Sequence, residues 1–238
     1  MKNNYYLNQK KKIMKRFKRI KMSNLFLLEK YYGKCEANII GNEIEAEFES
    51  LLPNIPYIGG KENWTTNALI GSAQILAMII ILENRGESRE KIGEILYKLM
   101  NNLVSSLNPL LKLFARWMLF SKRRIKELKK SSISLKEKKY PEDWVYEYIE
   151  GKDGGFDYGY NILECGIYKY YKKMGYEEYV PYLCLTDYAK YNALNIRLKR
   201  TKTIGNGDMM CDFRFYKKGV PAEGWPPENL EEFKLNQK

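Results

Sequence analysis

The sequence predicts an α+β fold in which N-terminal helices precede two β-hairpins, the hairpins forming a four-stranded antiparallel sheet covered by helices. Apolar residues recur at helical spacing up to about residue 130. Aromatic and β-branched residues then alternate in two pairs of short runs, each pair split by a Gly/Asp-rich turn. Two further helical segments separate the pairs.

Residues 1–33 read as a basic amphipathic helix with Ile13, Phe17, Ile20, Leu25 and Leu28 as its apolar stripe. "NIPYIGGKENW" is a loop, after which Thr65 or Thr66 caps a helix that stops near Asn84-Arg85-Gly86. Its apolar run, residues 68–82, falls short of the roughly 20 residues a bilayer requires and is interrupted by Ser72 and Gln74, so it reads as a buried helix. Ser88 starts the next helix, with Ile92, Ile95, Leu96, Leu99 and Leu103 on one face. A third starts at Pro109 and becomes strongly basic towards residue 130. The polar "KKSSISLKEKKYPED" connects the halves. "DWVYEYIEG" and "FDYGYNILEC" form a hairpin about "KDGG". Two helices follow, "CGIYKYYKKMG", closed by Gly175, and "EEYVPYLCLTDYAKYNAL". The closing hairpin is "RTKTIGNGDMMCDFRF", and beyond Lys218 a Pro- and Gly-rich tail is irregular. The expected organisation is a basic segment 1–33, one domain 34–218 (helical half 34–131, sheet half 140–218) and a tail 219–238.

With 238 residues, 45% of them hydrophobic and 14% aromatic, the chain can bury a sizeable core and is not disordered. The formal charge of +12 resembles a nucleic-acid signal until it is located. Residues 1–22 hold nine Lys/Arg and no acid, so 12 less 9, or +3, remains for the rest. Contact with nucleic acid or an anionic membrane through residues 1–22, or through "SKRRIKELKK", is then a secondary property at most. The absence of histidine excludes the commonest general base and metal ligand. Cys35, Cys165, Cys184 and Cys211 include no CxxC pair, which gives a zinc site little support. No metal and no cofactor is expected. The basic start is not followed by a sustained apolar stretch, so no signal peptide is expected, and a reducing cytoplasm with free thiols is the expected setting.

The closing hairpin raises the functional question. If "GNGD" is a four-residue loop, Ile204 faces Met209, Lys202 faces Cys211, Thr201 faces Asp212 and Arg200 faces Phe213. Arg200 and Lys202 then border Cys211 on an otherwise apolar face, and cationic neighbours favour a thiolate. Asp212 and Arg214 fall on the opposite face with Thr201 and Thr203, where a plain surface charge pair is the simpler reading. An arginine among core residues needs a carboxylate, internal or from a ligand. In the preceding helix Cys184 and Asp187 share a face with Tyr188 and Tyr191, as nucleophile and base or as a buried thiol beside a satisfied acid. Cys165 stands at a helix N-terminus.

The order "DYGYNILECGIYKYYKKMG", "YVPYLCLTDYAKYNAL", "LKRTKTIGNGDMMCDFRF" resembles the L-2-amino-thiazoline-4-carboxylic acid hydrolase family of bacteria over roughly residues 140–217. The pieces that carry it are Asp157-Tyr158-Gly159 before Cys165, a Pro-x-x-Cys-x-x-Asp helix ending in Asp187, an Arg-Thr-x-Thr-Ile strand and the closing Cys-Asp-Phe-Arg. The turn departs, because the family usually carries an Ala-Glu-Gly-like segment where this chain has "GNGDMM". The resemblance implies hydrolytic opening of a small carboxylate-bearing cyclic amidine at a C–N bond. It implies Cys184 or Cys211 as nucleophile, Asp187 or Asp212 on the amidine or the attacking water, and Arg200 or Arg214 on the substrate carboxylate. Thr201, Thr203, Asp157 and Cys165 complete the implied site. The competing reading is a non-catalytic small-molecule-binding or redox-sensing domain, because the Gly-Asp turn before a Cys-bearing aromatic strand also resembles the vinyl-4-reductase-type ligand-binding domains.

Overall fold

A computed structural model describes residues 4–137, 139–151 and 155–233. After a short helix α1 (Tyr5–Asn8) comes α2 (Lys10–Leu51), which is not one rod. Gly33 breaks it at φ 75°, ψ 162°, a conformation open to glycine, and the chain doubles back. Residues on either side of the break then pair: Lys18 and Lys21 reach Glu45, at 3.0 and 2.5 Å, and Lys10 reaches Glu49. Ile13, Met14 and Phe17 of the first arm bury against the same core as Ile40, Ile44 and Phe48 of the second. The basic start is thus one arm of a helical hairpin, with part of its charge answered by the other arm.

Four helices follow, α3 (Thr66–Asn84), α4 (Arg89–Ser105), α5 (Pro109–Leu119) and α6 (Lys122–Ser134). Ser88 caps α4 by accepting from the Lys91 amide, as expected. Thr65 precedes α3, but its hydroxyl is taken by Asn63 Oδ1 and Asp143 Oδ1, at 2.6 and 3.0 Å, and caps nothing. The α3 helix is longer than its apolar run: at 19 residues it is long and apolar enough to cross a membrane by length and composition. It packs against α2, α4 and α7. The basic third helix is in fact two, because Phe120 ends α5 and Ser121 caps α6 through the Arg124 amide.

The sheet comprises β1 (Val145–Glu150), β2 (Tyr158–Glu164), β3 (Arg197–Lys199) and β4 (Cys211–Tyr216), ordered β1-β2-β4-β3 and antiparallel throughout. The expected "KDGG" turn falls largely on residues 152–154, outside the described residues. Between the hairpins lie α7 (Gly166–Met174) and α8 (Val180–Ala193). The register Leu198↔Phe215 and Lys199↔Arg214 is the one expected from a four-residue loop, but the ladder stops at Lys199. In place of a tight four-residue turn, Ile204–Asn206 form a 3₁₀ turn, fixed by the Asp208 carboxylate on the Thr203 amide at 3.0 Å.

Buried side chains form two clusters, one among α2, α3, α4, α7 and the start of α8, the other mainly between the sheet and the rest of α8. Helix α8 touches both, and its contact with α4 is close because Gly93 has no side chain: a Cβ there would lie 2.2 Å from the Tyr182 ring. Gly93→Ala is therefore expected to destabilise the protein by about 1–3 kcal/mol through overpacking, against a helix-propensity gain of about 1 kcal/mol. Urea unfolding measures it, and a variant more stable than wild type would contradict this packing.

Candidate active site

Where the two clusters meet, they leave a cavity of about 560 Å³, within the range of small-molecule sites. Its wall is mostly apolar, drawn from α2, α3, α4 and the sheet, with Cys165, Cys184, Asp187, Lys190, Arg200, Cys211 and Arg124 among the chemically active groups. Asp187 is the one carboxylate lining it among the described residues.

Arg200 is the fixed point. Its side chain has no exposed surface, and its Nε and Nη2 form a bidentate fork on Glu232, with Nη2–Oε1 at 2.7 Å. Nη2 also donates to the Cys184 carbonyl at 3.0 Å, and Nη1 to Asp187 Oδ2 at 3.1 Å. Burial disfavours the guanidinium charge, and Glu232, with Cys184 and Asp187, more than offsets this, so the group stays charged. The carboxylate that Arg200 required is internal and comes from the tail. The Arg200 donors, expected on a substrate carboxylate, are thus engaged within the protein. Asp187 differs from its neighbours in exposure, with 33% of its side chain open against 1% for Glu232.

The thiols surround this knot. Thr203 Oγ1 lies 3.7 Å from Cys184 Sγ and 3.5 Å from Cys211 Sγ, and the Ile204 amide donates to Cys211 Sγ at 3.2 Å. Thr203 is buried on the cavity side, although strand alternation puts it with Asp212; the chain leaves the ladder after Lys199 and turns it inward. Lys202 is exposed for the same reason, so only Arg200 supplies the cation expected beside Cys211. Burial pushes the Cys184 and Cys211 thiols up, and Arg200 only partly opposes it. Burial also pushes Cys165 up, to about 12, against the amides at the start of α7. The thiolate expected at Cys211 is therefore disfavoured.

Other expected site residues lie elsewhere. Asp212 sits on the outer sheet face and accepts from the Thr201 amide and hydroxyl and the Lys202 amide, at 2.8, 2.7 and 2.7 Å. It anchors the frayed strand end, with Thr201 as partner. Arg214 lies across the outer face, donating to Asn161 Oδ1 at 2.8 Å and the Phe213 carbonyl at 2.9 Å. Asp157 is exposed and accepts from the Lys217 amide at 2.7 Å. None of these four lines the cavity.

Sequence reasoning missed three residues. Glu232 carried no signal beyond the demand of Arg200 for a partner. Arg124 sat inside a basic run, yet it lines the cavity with its guanidinium 4.5 Å from the Trp64 ring centroid, and no carboxylate pairs with it among the described residues. Tyr160, on β2, lines the cavity with Tyr191: burial pushes both phenols up, Asp187 adds to the rise and Arg124 opposes it. The cavity wall thus carries Asp187 and Arg124 together with two tyrosines.

The fold is thus α+β, an antiparallel sheet packed under helices, with a cavity between them whose wall carries one acid among the described residues. The model of the L-2-amino-thiazoline-4-carboxylic acid hydrolase family matches residues 68–215, and the chain belongs to that hydrolase family. No curated protein and no solved structure matches the chain. The match takes in α3 to β4, so it includes Asp187, Arg200 and Arg124 but not α2 or Glu232.

Two outcomes are expected. Glu232→Ala leaves the Arg200 charge buried without its main partner and should cost about 3–5 kcal/mol in urea unfolding; a change under ~1 kcal/mol would contradict the knot. Iodoacetamide at pH 8 should modify exposed Cys35 well before the other three, whose rates should keep rising above pH 9 because their thiolates form only there. Mass spectrometry of peptides reads this, and fast labelling of Cys184 or Cys211 at pH 8 would contradict it.

Proposed function

We propose that the protein opens a small carboxylate-bearing cyclic amidine, of the 2-aminothiazoline-4-carboxylate type, by hydrolysis at a C–N bond in this cavity. Membership of the family supports the reading, and the observation that carries it is Asp187, the cavity's one carboxylate among the described residues, held by a buried arginine. A cyclic amidine protonated on nitrogen is a planar cation, electrophilic at its carbon, that a carboxylate binds. Asp187 holds the amidinium and takes a proton from the attacking water. The water oxygen bonds to the amidine carbon, and the tetrahedral adduct collapses with the proton delivered to the ring nitrogen. The C–N bond breaks and an amine is freed. Expulsion of the ring sulfur would break the C–S bond and free a thiol instead, so the product identifies the bond. Arg124 takes the substrate carboxylate, in place of Arg200 and Arg214, whose donors are engaged. Water is favoured over a cysteine as nucleophile because burial keeps Cys184 and Cys211 protonated.

A second reading has its own observation. The cavity exceeds what a bare aminothiazoline fills, and most of its wall is apolar, which suits a module that holds a larger apolar ligand without turnover. Buried neutral thiols do not favour the redox-sensing form of that reading.

Purified protein is expected to hydrolyse L-2-amino-thiazoline-4-carboxylate, freeing amine rather than thiol. Asp187→Asn should lower kcat about 10²–10⁴-fold, Arg124→Gln should act mainly on KM, and Cys184→Ser and Cys211→Ser should stay within about tenfold of wild type. A folded cysteine variant that loses all activity would return the nucleophile to that thiol. No turnover by folded wild type would favour the binding reading.

A further inference from the structure

Helix α5 is turned inside out for a soluble protein. Its large exposed side chains, Leu110, Leu111, Leu113, Phe114, Trp117 and Met118, are all apolar, and Leu110 and Trp117 keep 75% and 65% of their surface open. No residue of the helix is buried. Its two cations turn back towards the protein, Lys112 donating to the Ser105 carbonyl at 3.1 Å and Arg116 to the Lys217 carbonyl. Scattered apolar residues are normal on a surface, but a contiguous face of this composition marks an interaction site. Phe114 and Trp117 pack against each other on it, with ring centroids 5.8 Å apart.

The next helix has the complementary character. In α6, Lys122, Arg123, Lys126 and Lys130 are exposed, and the one acid, Glu127, pairs with Arg123 at 3.0 Å. An apolar ridge and a cationic helix therefore form the two arms of one hairpin.

We propose that the α5–α6 hairpin docks on an anionic lipid bilayer, with the apolar face of α5 in the boundary between headgroups and acyl chains and the α6 cations on headgroup phosphates. Charge selects this occupant. A second copy of the chain, itself at +12, would bring the same cationic helix against its twin. Nucleic acid would satisfy α6 and leave the aromatic and leucine face of α5 in water. An anionic bilayer satisfies both arms, and an apolar face with aromatic and leucine residues beside Lys/Arg is what an interfacial helix requires. The same hairpin contributes Leu119, Arg124 and Leu128 to the cavity wall, so docking sets that wall beside the bilayer.

The test is co-sedimentation of the full-length protein with vesicles of phosphatidylcholine and phosphatidylglycerol in equal parts, beside vesicles of phosphatidylcholine alone. Binding is expected to the mixed vesicles, about tenfold stronger than to the neutral ones and weakened by salt. Leu113→Ser/Trp117→Ser and Lys122→Glu/Lys126→Glu should each lower it about tenfold, with melting curves like that of wild type because all four side chains are exposed. Three results would overturn the proposal: folded wild type left in the supernatant of mixed vesicles, binding indifferent to both variant pairs, or no vesicle binding together with a dimer that Leu113→Ser/Trp117→Ser abolishes, which would make a second copy the occupant.

Discussion

A guanidinium with none of its side-chain surface in solvent constrains everything around the cavity. Arg200 stands just past the end of β3, reaches the tail at Glu232 and binds α8 at both Asp187 and the Cys184 carbonyl. A buried charge without these partners would cost several kcal/mol, so the tail, the strand and α8 are tied together or none of them is in place. Asp187 is oriented by this knot yet its side chain remains the most open of the three. Charge in the knot is shared unequally, and its one accessible carboxylate faces the space where a ligand would sit.

The same knot separates electrostatics from burial at the thiols. Arg200 pulls Cys184 and Cys211 towards ionisation, as a cation should, but desolvation is the larger effect at both. Counting cations near a cysteine is thus a poor guide to its reactivity unless the depth of the site is known. Depth is a property of the packed helices and is not written in strand alternation.

Much of the fold was legible because it rests on local pattern. The assumed loop length gave the register of the closing hairpin, helical spacing gave α4, and Ser88 and Gly175 marked helix ends where expected. What was not legible depends on contacts far apart in the chain. Glu232 lies 32 residues from Arg200, in a segment whose Pro and Gly content says only that it is irregular. Thr203 turns inward because Asp208 reshapes the turn, which defeats the face assigned by alternation. The basic runs make the same point: the charge of residues 10–21 is partly answered by Glu45 and Glu49, whereas the exposed cations of α6 have one acid among them. Composition counts both runs alike, and tertiary contacts distinguish them.

The central claim is that the cavity, with Asp187 and Arg124 in its wall, receives a carboxylate-bearing cyclic amidine. The most direct measurement is a crystal structure of the Asp187→Asn protein with L-2-amino-thiazoline-4-carboxylate bound. The account predicts the amidine against residue 187, the carboxylate on Arg124, and Arg200 still forked on Glu232. A ligand bound outside this cavity, or one whose carboxylate displaces Glu232 from Arg200, would contradict it.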